Sequence, residues 1–265
     1  MATDLVLVEK KGFVGTLTLN RPEKRNALSP DLLIQLCRIL DEFGRSDEVR
    51  AVVIRGAGDR AFSSGYDITA LPAEVPPEIR GRLRDENYLD LAIESIGRYP
   101  FPVIAMLNGD AFGGGCELAV SCDLRIAADD IRMGMPPARL GLVYPLNGLV
   151  RFVQILGFPA VKELFFSGRY YQAPRIQELG LVHYLQPPDQ LEAFTFELTD
   201  EIAGHAPLSI KGTKRILNIL QRSWSLSEED RREIDGIVLE ALRSEDHKEG
   251  KRAFLEKRRP VFHGR

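Results

Sequence analysis

Among 265 residues there are one tryptophan, four methionines, three cysteines and four histidines. So few cysteines exclude a disulfide framework, and Cys37, Cys116 and Cys122 cannot all pair. Reduced thiols in a cytoplasm are the expectation. The histidines lie far apart and no Cys/His pair has ligand spacing, so no metal site is expected. No apolar run approaches about 18 residues, which argues against a transmembrane helix and a membrane partner. Met1-Ala2-Thr3-Asp4 opens no basic-then-apolar leader, so no signal peptide is expected. Neither sign of charge dominates. Lys+Arg number 35 and Asp+Glu 38, a net charge of −3 with a pI of about 5.9. A nucleic-acid partner would favour a basic stripe, and none is expected.

What is present is ordinary globular material: 44% hydrophobic and 28% charged residues. At about 150 residues per domain the length suits one large domain or two small ones. Leu5–Lys10 and Phe13–Asn20 read as a hairpin around Lys11-Gly12. A helix follows, capped by Ser29, opened by Pro30 and stopped by Gly44. Leu32, Leu33, Leu36, Ile39, Leu40 and Phe43 share one face of it. Ala51–Arg55, Pro102–Leu107 and Asp123–Ala128 read as buried strands, and a helix is expected near Glu78–Arg98. Strands alternating with helices make the fold class α/β. From about Pro188 the chain reads as helical, with breaks at Pro207 and Ser223–Ser227. No internal repeat is visible in residue identities.

Two glycine-rich segments invite a ligand. Gly56-Ala57-Gly58-Asp59-Arg60-Ala61 has the spacing of a dinucleotide fingerprint. No helix pattern starts at its second glycine, however, so a turn after a strand is the better reading. Asn108–Gly115 is a glycine-rich turn, and Gly113-Gly114-Gly115 precedes a short helix over Cys116–Ser121. Amides at a helix start have no intrahelical partner and can hold a phosphate or a developing oxyanion. Tight packing of helix on sheet would explain the glycines equally well. Glu117 lies in an otherwise apolar helix start. A carboxyl group there would be poorly solvated, its pKa raised toward the range useful for proton transfer.

Four segments carry a resemblance: Asn20-Arg21-Pro22-Glu23-Lys24-Arg25-Asn26-Ala27-Leu28, Ala61-Phe62-Ser63-Ser64-Gly65-Tyr66-Asp67-Ile68, Asn108 to Leu118 followed by Cys122-Asp123, and Glu249-Gly250 to Pro260. With Ala173 to Val182 between them, they resemble the crotonase (enoyl-CoA hydratase/isomerase) superfamily in order along nearly the whole chain. The resemblance implies a spiral of repeated ββα units over 1–190, with a helical trimerisation region over 191–265. The assembly would be a homotrimer or a dimer of trimers. It implies an acyl-CoA thioester as substrate and no separate cofactor. Tyr66 N–H and Gly114 N–H would grip the thioester carbonyl, with Glu117 as acid/base. Arg25 and Ala27 would line the coenzyme A site, and Lys257 would lie near its phosphates. Ser64, Asp67, Ile68, Phe112, Pro136 and Pro137 would complete the substrate site. Asp67 would otherwise cap the turn after the first oxyanion segment, and Lys257 would otherwise be an exposed tail charge.

Hydratases of this family use two glutamates around a water. Pro137 stands where the second is expected, and proline neither holds water nor delivers a proton. Leu140-Gly141-Leu142-Val143-Tyr144-Pro145 and Val161-Lys162-Glu163-Leu164 resemble the methylmalonyl-CoA decarboxylase branch. There a tyrosine at the position of Tyr144 would orient the departing carboxylate; packing beside Pro145 is its alternative. Tyr66 departs from that branch, which carries histidine there. The leading expectation is therefore a hydratase-type acyl-CoA lyase with one of the two glutamates. A carboxy-lyase is the alternative, and a non-catalytic acyl-CoA-binding protein a further one.

Overall fold

The computed structural model describes residues 4–67, 87–221 and 228–262. Strands β1 (Val6–Lys11) and β2 (Val14–Leu19) pair antiparallel, with Lys11 opposite Val14, so the hairpin turn is Gly12-Phe13 rather than Lys11-Gly12. Helix α1 (Pro30–Phe43) follows. The Ser29 hydroxyl accepts from Leu32 N at 3.4 Å, as a cap should. Gly44 ends the helix at φ −72°, so its role there is not a left-handed turn. Leu32, Leu33, Leu36, Leu40 and Phe43 are buried as the spacing demands, joined by Ile34 and Cys37, while Ile39 is half-buried. A fully buried leucine of this kind contributes about 2 kcal/mol.

A repeat invisible in residue identities appears in the topology. Strand β3 (Ala51–Gly56) is followed by β4 (Ala61–Ser63) and helix α2 (Tyr88–Arg98). Next come β5 (Val103–Leu107), β6 (Asp110–Phe112) and helix α3 (Gly114–Val120), then β7 (Leu124–Ala128) and β8 (Arg132–Gly134). The remaining strands are β9 (Tyr170–Gln172) and β10 (Tyr184–Gln186). Strands β3, β5, β7 and β10 join the hairpin in a six-stranded sheet, ordered β1-β2-β3-β5-β7-β10. Their partners β4, β6, β8 and β9 form a four-stranded sheet, in that order. Each turn of chain thus adds one strand to each sheet, the α/β spiral arrangement. Beyond the hairpin, the pairings from β2 through β10 are parallel. Parallel strands are covered on both faces, which is why Ala51–Ile54 of β3 and the whole of β5 are unbroken buried apolar runs.

Helix α4 (Leu146–Ser167) has a break at Gly157, and α5 (Arg175–Glu178) is a single turn. Helix α6 (Pro188–Gly204) packs against β2, β3, β5, β7 and β10. It is followed by α7 (Pro207–Gln221), α8 (Glu228–Arg243) and α9 (Glu245–Leu255). Among the described residues, the chain from Pro188 to Leu255 is mainly helical as expected, with a break just before Pro207. The expected break at 223–227 and the expected helix start before 87 lie outside the described residues. The chain forms two compact units, Met1–Met133 with Tyr171–Leu220, and Gly134–Tyr170 with Gln221–Arg265. No helix among the described residues is long and apolar enough to cross a membrane.

Candidate active site

In the first unit, β4 and β6 are parallel neighbours, with Ala61 beside Asp110 and Ser63 beside Ala111. Their carboxyl ends deliver residues 64–67 and the start of α3 to one place, where ligands of parallel sheets bind. Gly113, at φ 52° and ψ −124°, takes a backbone shape closed to other residues and turns the chain directly into α3. The helix therefore starts at Gly114, two residues earlier than the sequence pattern suggests, and β6 occupies part of the expected turn. Gly115 is a case of close approach: a methyl group there would lie 2.5 Å from Ser63 O.

The same packing sets the two candidate oxyanion donors together. A methyl group on Gly114 would lie 3.1 Å from Tyr66 N, so the two amide nitrogens are within about 5.5 Å by standard bond lengths. Gly114 opens its helix, and its N–H has no intrahelical acceptor. Among the described residues, neither N–H donates a hydrogen bond. Leu89, on α2, closes over Gly114. Three residues onward, within the first turn of the same helix, Glu117 is only 4% exposed. Its N–H donates to Gly113 O at 3.0 Å, and its carbonyl accepts from Ser121 N and Oγ. The Tyr66 phenol is half-buried, and burial first, then the charges of Tyr88 and Asp67, push its pKa up. It stays protonated at neutral pH and is a donor.

The Asn20–Leu28 segment braces this strand. Asn26, 1% exposed and left-handed at φ 54°, donates to Ala61 O at 2.7 Å and to Ala57 O at 3.0 Å. Its Oδ1 accepts from Arg21 N. Arg21 donates to Ala27 O and pairs with Asp67 at 3.0 Å. Ser64 N donates to Arg25 O at 2.9 Å, and Leu28 N to Gly65 O at 2.8 Å. Asp67 is thus an ion-pair partner of Arg21 and not only a turn residue. Sequence reasoning misses Arg21 and Asn26 as supports of Tyr66. Their signal is an asparagine, tolerant of positive φ, two residues before the buried Leu28.

Exposed Arg25 and Ser64 and half-buried Ala27 and Phe112 belong to this unit, while Ile68 lies outside the described residues. Phe112 stands beside Arg132, itself held by Asp110 at 2.6 Å. Gly56 ends β3 and packs on Ala61 O, and no helix starts at Gly58. The dinucleotide spacing is a strand, a turn and a second strand. Cys116 is fully buried, a small core residue.

In the second unit, Pro137 is buried at the first position of a 3-10 turn, Pro137–Leu140, with Pro136 before it. Tyr144 is half-buried, its ring 5.4 Å from that of Phe165, which meets Phe152 edge-on at 5.1 Å. Tyr144 thus packs on Phe165. Lys257 is exposed beyond α9.

The sequence matches the family model described as enoyl-CoA hydratase/isomerase over residues 9–265. It is 33% identical over 260 residues to the short-chain-enoyl-CoA hydratase of Clostridium acetobutylicum, covering 98% of this chain and 97% of that one. It is 33% identical over 252 residues to the methylmalonyl-CoA decarboxylase of Escherichia coli, covering 95% of each. A solved methylmalonyl-CoA decarboxylase in complex with 2-nitronate-propionyl-CoA superposes with a TM-score of 0.90 at 32% identity over the full length of both chains.

Proposed function

The chain belongs to the enoyl-CoA hydratase/isomerase family, and from that premise we propose that it is an acyl-CoA lyase that stabilises a thioester enolate. The observation that carries this reading is the convergence of two amides, Tyr66 N–H and Gly114 N–H, that meet no acceptor among the described residues, at the ends of neighbouring parallel strands. Chemistry at the α-carbon of a thioester drives negative charge onto its carbonyl oxygen. Two fixed donors receive that charge without reorganising, and one such donor is worth about 3 kcal/mol.

Of the reactions available, loss of CO2 from a 2-carboxyacyl-CoA suits these residues best. The carbon–carbon bond to the carboxylate breaks, and its electron pair passes through the α-carbon to the thioester oxygen. No base is needed to begin, which accommodates Pro137 in place of a second glutamate. A proton then adds to the α-carbon, with Glu117 as its source, and Tyr144 would orient the carboxylate. The likeness to methylmalonyl-CoA decarboxylase in sequence and in shape supports this branch. Hydration of an enoyl-CoA is the second reading, favoured by the buried Glu117 on its glycine-started helix and by the likeness to a hydratase.

Arg25, Ala27 and Lys257 would receive the coenzyme A portion, which holds the reacting end in place. The region beyond residue 190 would serve assembly as a trimer or a dimer of trimers. The test is incubation with methylmalonyl-CoA, malonyl-CoA and crotonyl-CoA, read by mass spectrometry. Loss of CO2 is the expected result. A gain of water on crotonyl-CoA alone transfers the protein to the second reading. Tight binding of all three without turnover identifies a non-catalytic acyl-CoA-binding protein.

A further inference from the structure

Helix α9 ends in a pattern that normally calls for glycine. Lys257 N donates to Phe254 O at 3.3 Å and Arg258 N to Ala253 O at 3.0 Å, the paired bonds of a Schellman stop. The residue between helix and tail must then be left-handed, and here it is Lys257, at φ 54°. Lysine in that conformation is strained where glycine would be at ease. Attraction of a cation to the helix C-terminus does not explain the choice, because Lys251 and Arg252 already lie in the last turns.

The neighbouring residue shows what holds this turn. The Arg258 guanidinium grips Glu249 through two nitrogens, at 2.6 and 2.9 Å, and also donates to Glu256. Glu249 accepts in addition from Val261 N at 3.1 Å, so one carboxylate fastens both sides of the turn to α9. These contacts hold the Glu249 pKa down to about 2, the Arg258 side chain being the first cause. Arg258 thereby occupies both nearby acids. Among the described residues, Lys257 has no carboxylate in ion-pair reach.

We infer that the Glu249–Arg258 pair is a positioning device, which holds Lys257 in its strained turn with its ammonium unneutralised and offered to a phosphate of the coenzyme A substrate. Neither Glu249 nor Arg258 touches the ligand in this role; both act through Lys257. The inference rests on the acyl-CoA reading above and adds the residues that make the tail lysine competent.

The test is calorimetric binding of coenzyme A to the full-length chain, which needs no knowledge of the reaction. Lys257→Gly relieves the strain and deletes the charge. It is expected to weaken coenzyme A at least fivefold while the melting temperature stays level or rises. Glu249→Gln is expected to weaken binding to a similar degree, and the double variant no further than Lys257→Gly alone. Glu256→Gln, which leaves the two-pronged contact intact, keeps wild-type affinity. Should Glu249→Gln fail to fold, Arg258→Lys, which keeps the charge and loses the fork, is expected to show the same non-additive loss. Additive losses, or unchanged affinity in Glu249→Gln and Arg258→Lys, overturn the positioning role while leaving the acyl-CoA reading standing. Absence of coenzyme A binding by the wild-type chain overturns both.

Discussion

At the scale of single residues, function and support are separable by experiment. Gly114→Ala would put a methyl group 3.1 Å from Tyr66 N, over the proposed donor pair. The expected outcome is a fall in kcat of about a hundredfold or more, the effect of losing an oxyanion donor, with the fold retained by circular dichroism. Wild-type kcat in that variant sinks the two-amide proposal. Asn26→Ala acts differently. It leaves Ala61 O, in the β4 strand, without its side-chain donor, and denaturant unfolding should show a loss of about 2 kcal/mol. Its kcat should fall too, because the strand that carries Tyr66 is no longer braced. The cysteines give a third test. All three are buried, and Cys122 is pushed up to about 12 by burial and then by Asp123. No thiol should react with a disulfide reagent at pH 8 until the protein unfolds; stoichiometric labelling of native protein contradicts the packing.

Whole elements depend on a few polar anchors. Helix α7 is tied to the first unit by Lys214, 7% exposed, which donates to Ile96 O at 3.1 Å, Phe101 O at 2.9 Å and Asp123 at 2.7 Å. Asp123 also accepts from Val103 N at the start of β5. Removing the cation strands two carbonyls and a carboxylate, so Lys214→Ala should lose about 3 kcal/mol in denaturant unfolding. A loss under about 0.5 kcal/mol would show that the anchor is decorative. The tail beyond α9 has its own pH dependence. The Glu249 pKa is depressed from 4.5 to about 2, so the tail's attachment is complete above pH 4.5 and lost as pH falls through about 2. Amide exchange of Val261 should stay protected at pH 4 and open near pH 2. This end of the chain was legible as helix, with Lys257 as a tail charge. The carboxylate that fastens it was not, because Glu249 and Arg258 are nine residues apart and each alone reads as a solvated charge.

For the whole molecule, α7 presents Leu208, Ile216, Leu217, Ile219 and Leu220 to solvent in a single chain. Exposed apolar surface of that extent on one helix is what the proposed assembly would cover. Sedimentation equilibrium is expected to give a trimer or a dimer of trimers; a monomer at micromolar concentration would remove the assembly from the proposal. The repeat of one strand to each sheet is a property at this scale as well. It has no counterpart in residue identities because each unit needs only apolar strands and a turn, which many residues satisfy.

Local rules were sufficient for much of this protein. Apolar periodicity and capping chemistry determined the hairpin, α1 and the buried parallel strands, since those elements depend on neighbours along the chain. The motif around Gly113-Gly114-Gly115 and Glu117 was visible too, because three glycines and a lone acid have few uses in an apolar helix start. Only the tertiary structure decided which use applies. The distance from Gly114 to Tyr66 follows from the pairing of β4 with β6, and those strands come from segments almost fifty residues apart. Neither segment contains information about the other's register. That information resides in the sheet, where Asn26 braces Ala61, Ser63 packs on Gly115 and Leu89 on Gly114, and where neither amide meets an acceptor among the described residues.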